Sequence, residues 1–159
     1  ELAGGALLDV GVYPLNFASM CFGNDIEKIT SACVKTDAGV DAQDAMILTY
    51  KDGRLATLHA GMLAATEQYG IVYGTKGYMI AYNINNVDRI EIFSSDRKFI
   101  RAVEVPEQIT GYEYEIRACK RALEAGQVVC EEMPHSETIK MMEWMDAIRA
   151  DWGIRYPFE

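Results

Sequence analysis

An acid and a phenol stand four residues apart near the start of the chain, in Gly4-Gly5-Ala6-Leu7-Leu8-Asp9-Val10-Gly11-Val12-Tyr13-Pro14. On a helix this spacing sends both side chains from one face. A carboxylate beside a hydroxyl at the head of an apolar helix can move a proton to or from a substrate oxygen, so Asp9 and Tyr13 are the candidate catalytic residues. The same residues also fit a kinked core helix with one capping Asp and one half-buried Tyr. Gly4 and Gly5 would let backbone approach a cofactor closely, or would supply the positive φ that a loop before a helix needs.

The elements that must position this pair can be read outward from it. Pro14 lacks an N–H and fits the first turn of a helix, which predicts a helix from Val12 or Pro14 to Phe22, stopped by Gly23. Asp9 to Gly11 form a turn or a kinked extra helical turn before it. Lys28 to Lys35 reads as a strand, and Asp41 and Asp44 are expected in turn and cap roles before the next one. Ala45 to Tyr50 and Arg54 to Ala60 flank Lys51-Asp52-Gly53, a hairpin signal because Asp-Gly tolerates positive φ. Gln68 to Tyr73 and Tyr78 to Tyr82 flank Gly74-Thr75-Lys76-Gly77, which lacks phosphate-loop spacing and reads as a second hairpin. Arg89 to Phe93 and Phe99 to Val105 flank a third turn, Ser94-Ser95-Asp96. Two helices close the chain, Gly111 to Ala125 and Ser136 to Asp151. Met141, Met145, Ile148 and Trp152 make a core stripe on the second, with Glu143, Asp146 and Arg149 off it.

The expected fold class is α+β, a mainly antiparallel open sheet with helices packed on one face. The other face is rich in Tyr, Ile and Met and is expected to pair copies into a homo-oligomer, a dimer in the simplest case. Within the sheet His59 is expected as a satisfied structural residue or as a group facing substrate. Arg54, Glu67 and Tyr69 are candidates for a polar cleft.

Composition narrows the class. A chain of 159 residues that is half hydrophobic and one quarter charged is long enough for one domain with a full core. Its net charge of −9 argues against nucleic acid or an anionic membrane as partner. No apolar run approaches a membrane span and no signal peptide is visible. Cys21, Cys33, Cys119 and Cys130 show no C-x-x-C pairing, and His59 and His135 have no ligand spacing with them, so no metal site is expected. Scattered cysteines read as reduced core residues and a cytoplasmic setting.

Gly4 to Tyr13, followed by an apolar helix ending at Phe22-Gly23, resembles the D-x-G-x-[HY] segment of the glucose–fructose oxidoreductase/inositol dehydrogenase (Gfo/Idh/MocA) family. Gly39-Val40-Asp41, Gly74-Thr75-Lys76-Gly77, Tyr112-Glu113-Tyr114-Glu115 and Trp152-Gly153-Ile154-Arg155-Tyr156-Pro157 follow in the same order, so the resemblance spans nearly the whole chain. Tyr13 stands where many members carry His, a departure similar to the dihydrodiol dehydrogenase-like and sugar dehydrogenase-like branches. The resemblance implies that residues 1–159 are a C-terminal substrate-binding and oligomerisation domain. The N-terminal Rossmann domain, with its glycine-rich nucleotide turn and Glu-Lys-Pro lysine, would be absent from the chain, which begins at Glu1 without Met.

It further implies an oxidoreductase whose intact form uses NAD or NADP to oxidise an alcohol carbon of a sugar, inositol or dihydrodiol. Tyr13 would be the acid/base and Asp9 would orient the substrate hydroxyl or the lysine. Gly4 and Gly5 would border the cofactor. A free phenol titrates at about 10 and a neighbouring carboxylate holds its proton harder, so Asp9 alone cannot activate such a group; the absent lysine would. The isolated domain is expected to be inactive and to bind no cofactor. The alternative is a non-enzymatic binding or assembly module that keeps the fold.

Overall fold

The computed structural model describes residues 4–156; residues 1–3 and 157–159, including Pro157 of the C-terminal motif, lie outside the described residues. A π-helical turn, Leu7–Gly11, runs straight into α1 (Val12–Phe22). Gly23 ends α1 at φ 77°, as its left-handed tolerance allows. Strands β1 (Ile26–Lys35), β2 (Asp41–Tyr50) and β3 (Leu55–Gly61) form one antiparallel sheet in that order. Strands β4 (Gly70–Gly74), β5 (Gly77–Tyr82), β6 (Arg89–Ser94) and β7 (Phe99–Val103) form a second. Helices α2 (Tyr112–Glu124) and α3 (His135–Trp152) follow.

The α+β class and the open antiparallel sheets match the expectation, but the strands divide into two sheets rather than one. The division falls between β3 and β4. Residues 62–69 cross it without joining a strand, and Gly70 is seated on α1, where a Cβ would come within 2.5 Å of the Phe17 ring and 2.8 Å of Ile84. β4 therefore docks through Phe17 instead of adding to the β3 edge.

One core serves the first sheet. Alternation along β2 sends Asp44, Met46, Leu48 and Tyr50 inward. Met46, Leu48 and Tyr50 meet Leu7, Leu15 and Ala18 of the first helical segment and Met141, Met145 and Ile148 of α3. Tyr50 packs edge-on against Phe22 at 5.5 Å, and its hydroxyl reaches the Ala18 carbonyl at 3.5 Å. Trp152 donates its indole N–H to the Ser31 hydroxyl at 3.0 Å, which ties the end of α3 to β1. The methionine stripe of α3 is core, as its spacing indicates.

Two expectations about the helices need correction. Arg149, placed off the buried stripe, is itself buried, with its guanidinium 4.4 Å above the Tyr156 ring and bonded to Asp146 at 2.8 Å. Helix α2 does not join the layer on the sheet: Ala122 is its one buried residue, and Tyr112, Ile116 and Leu123 are exposed. Its start is fastened locally instead. The Glu113 carboxylate accepts the N–H groups of Ile109, Thr110 and Gly111 at 2.5, 3.2 and 2.9 Å.

Candidate active site on the first helix

The Asp9/Tyr13 pair is carried by a helical segment whose winding changes between the two residues. An α-helix rotates about 100° per residue, so four steps overshoot a full turn by about 40°. A π turn rotates less per residue, and Asp9 to Gly11 lie within one. Part of the overshoot is thereby removed, and Tyr13 comes nearer to alignment with Asp9 than α geometry would give. Pro14 falls in the first turn of α1, where its missing N–H would otherwise have reached back toward residue 10. Gly11 lets this turn lie flat on β3: a Cβ there would stand 3.2 Å from Leu7 and 3.6 Å from Ala60.

Both side chains face out. Tyr13 is 39% exposed and Asp9 is exposed, and neither side chain makes a hydrogen bond among the described residues. The arrangement leaves the carboxylate and the phenol free for a reacting hydroxyl. Gly5 is buried at φ 92°, where any Cβ would overlap the Asp41 carboxyl. Gly4 is half-buried, and its carbonyl accepts the Tyr156 hydroxyl at 2.6 Å. The glycine pair thus has a packing reason to be glycine at Gly5, and its backbone is engaged on the protein side at Gly4.

A cleft of about 380 Å³ opens on the neighbouring stripe of the same helix, between α1, β3 and β4. Pro14, Phe17, His59, Tyr69 and Ile84 are among its walls. His59 is not a packed structural residue: it lies on the outward-facing positions of β3, opposite Ala45, and is exposed. Tyr69 lines the cleft while its ring meets Tyr82 edge-on at 4.8 Å. Arg54 does not join it, because its guanidinium is 4.8 Å above Phe22 and bonded to Asp52. Glu67 is exposed and outside the lining. Gly74 to Gly77 close the β4–β5 hairpin. Among the described residues no group of three or more His, Cys, Asp or Glu could hold a metal ion. The cysteines are all free thiols but not all core: Cys119 is exposed, with its sulfur 3.9 Å from that of Cys130.

Sequence reasoning missed the most unusual polar feature of the site. Asp41 and Asp44 belong to β2 itself, not to the turn before it, and are 0% and 2% exposed. Asp41 does act as a cap, but across 34 residues: it accepts the Leu7 N–H at 2.6 Å, at the start of the π turn. Burial, and then the Asp41 charge beside it, push the Asp44 carboxyl up to about 7. The available signal was period two, since Asp44 shares its face with Met46, Leu48 and Tyr50.

Two antiparallel sheets and three helical segments, the first with an exposed acid and phenol, define an α+β domain. Residues 1–80 match the sequence profile described as GFO/IDH/MocA C-terminal domain, and the chain belongs to that family. It is 30% identical over 163 residues to trans-1,2-dihydrobenzene-1,2-diol dehydrogenase of Xenopus tropicalis, covering 99% of this chain and 49% of that protein. It is 26% identical to D-xylose 1-dehydrogenase (NADP(+)) 2 of Haloferax volcanii, covering 93% of this chain and 46% of that one. Among solved structures it is similar to KijD10, a 3-ketoreductase from Actinomadura kijaniata in complex with TDP-benzene and NADP. The TM-score is 0.79 at 24% identity, over 92% of this chain and 47% of that one, a likeness of fold. The chain thus spans about half the length of the relatives it matches.

Proposed function

We propose that residues 1–159 are the substrate-binding and oligomerisation half of a cytoplasmic NAD(P)-dependent oxidoreductase. The substrate is an alcohol carbon of a sugar, inositol or dihydrodiol, in keeping with what the relatives are named for. The observation that carries the reading is the exposure of Asp9 and Tyr13, their side chains unbonded among the described residues, on a helical segment whose other residues are fastened to the core. Apolar residues on a helix have no need to be accompanied by such a pair.

The reading assigns the dinucleotide site to residues outside this chain. The tight glycine turn between strands β4 and β5 is a hairpin, and Gly5 is closed off by Asp41. Neither leads from a strand to a helix N-terminus that could hold a pyrophosphate. What this chain contributes is confined to the substrate hydroxyl and its proton. Oxidation of an alcohol carbon requires that proton to leave; Tyr13 accepts it as a phenolate, its own proton having first been lost with the help of the lysine that the family resemblance implies, and Asp9 holds the hydroxyl in line by accepting a hydrogen bond until transfer. The exposed strand residues Val34, Ile47 and Leu55 supply an apolar face for a second copy, for which a stable interface needs at least about 1,200 Å² in total.

The test replaces Tyr13 by His in the enzyme that contains this domain. An ordinary imidazole titrates near ~6.5, so the pH–rate profile should move toward neutrality with part of the rate retained. A profile identical to that of the unaltered enzyme would place the acid/base elsewhere. For the domain alone, calorimetric titration with NAD and NADP should show no micromolar binding; tight binding would contradict the division of labour.

A further inference from the structure

We propose that Asp41, hydrogen-bonded to Asp44 through one shared proton, is the positioning residue that sets the start of the helical segment carrying Asp9 and Tyr13. The inference rests on the role given to those two residues above. Of the four carboxyl oxygens, Asp41 Oδ2 has a donor, the Leu7 N–H. Asp41 Oδ1 and both Asp44 oxygens are buried without a partner among the described residues. Two buried carboxylates sharing one amide donor would leave two unbalanced charges and three orphaned acceptors, a cost of many kcal/mol. One proton between the two groups removes a charge and gives Asp41 Oδ1 its donor. It resides on Asp44, neither of whose oxygens has a donor among the described residues, while Asp41 Oδ2 already accepts the Leu7 N–H.

The surroundings leave this pair to itself. Across the register on β1, Lys35 stands opposite Asp41 and Cys33 opposite Asp44. The Lys35 ammonium is turned to the Trp152 carbonyl at 2.6 Å, and burial pushes the Cys33 thiol up. On β3, Ala60 pairs with Asp44, while His59 next to it faces outward. On the helical segment itself Asp9 is exposed. At the C-terminal side the Tyr156 hydroxyl is given to Gly4, and Arg149 lies over the Tyr156 ring. Gly5 packs directly against the Asp41 carboxyl. With one oxygen on the Leu7 N–H and the other on the shared proton, the Asp41 carboxyl is fixed in plane and Leu7 with it. Asp9 follows two residues later, inside the π turn. When the proton leaves, two adjacent carboxylates repel and the hold on Leu7 slackens.

The experiment follows the Leu7 amide proton by NMR in the ¹⁵N-labelled chain from pH 5 to pH 8.5. A charged acceptor places that proton well downfield, and it should shift with a midpoint near neutrality together with the amides of Asp9 and Tyr13. Asp44→Asn, whose side-chain N–H can donate to Asp41 without titrating, should abolish the transition and keep the downfield position. Asp41→Ala should lose the downfield position at every pH. If Asp41→Ala does not fold, Asp44→Asn decides: a Leu7 transition that survives that change, or no transition in the unaltered chain, overturns the shared proton. In the enzyme containing this domain, Asp41→Ala should lower kcat at least about 10-fold, because small misplacements of catalytic groups are costly. Unchanged kcat for Asp41→Ala beside an impaired Tyr13→Phe overturns the positioning role and leaves the catalytic reading standing. Normal kcat in Tyr13→Phe overturns the catalytic reading, and the purpose of the clamp with it.

Discussion

Sheet β1–β3 turns Met46, Leu48 and Tyr50 onto α1 and α3, while in sheet β4–β7 Gly70, Ala81 and Glu91 are the buried positions. The second sheet is held by contacts along its own surface. Tyr78 stacks on Phe93 at 4.9 Å, Phe93 meets Phe99 edge-on at 5.9 Å, and the Tyr82 hydroxyl bonds Glu91 at 2.6 Å while Arg89 pairs with the same carboxylate. The contrast teaches where precision is kept. The candidate site rests on the half with the interdigitated core, and the other half is held by rows of aromatic contacts along its own surface.

Truncating one residue in each half should break or sharpen this comparison. Leu48→Ala leaves a cavity in a fully buried position and should cost about 2–5 kcal/mol in denaturant unfolding. Phe93→Ala, in a half-buried aromatic row, should cost about 1–2 kcal/mol. Equal losses would mean that the second sheet has a core of comparable worth.

The pH dependence of stability separates the halves next. Asp44 in the unfolded chain titrates near 4 and in the fold at about 7, so the folded state holds the extra proton between those values. Its contribution is fully present below about pH 4 and is lost as pH rises through about 7, on the order of a few kcal/mol. Asp44→Asn should flatten that decline; a decline that persists unchanged assigns it to other groups.

The smallest effect belongs to α2. Its own backbone N–H and that of Ile109 hold the Glu113 carboxyl down to about 2, a depressed value whose benefit is present above about pH 4.5 and lost as pH falls through about 2. Glu113→Gln should lower the unfolding midpoint slightly at neutral pH, where the carboxylate's benefit is present. It should speed hydrogen exchange at Ile109 to Gly111, and unaltered exchange would show that the loop is held otherwise.

What the sequence disclosed was local chemistry. Gly23 as a helix stop, Asp52-Gly53 as a hairpin turn and the Met141–Met145–Ile148 stripe follow from backbone tolerance and from periods of 3.6 and 2, and each stands where it was read. The sheet division was not legible because it depends on Phe17, 53 residues before Gly70, claiming the place a strand neighbour would take. The exposure of α2 was not legible because Tyr112, Ile116 and Leu123 mark an apolar face without saying what covers it. In the candidate site, Asp9 and Tyr13 were visible through their spacing, whereas the π turn that carries Asp9 and the buried acid pair beside Leu7 involve tertiary contact between residues 5–7 and 41–44.

The central claim is that the core half presents Tyr13 as a proton-transfer group. Tyr13→Phe removes one hydroxyl from an exposed ring and should leave folding and cofactor affinity unchanged. The direct measurement is kcat of that variant in the enzyme containing this domain, under conditions where chemistry limits turnover. General acid–base catalysis contributes about 10²–10⁴-fold, so kcat should fall within that range. A near-normal kcat would contradict the account and make Tyr13 a surface residue of the helix.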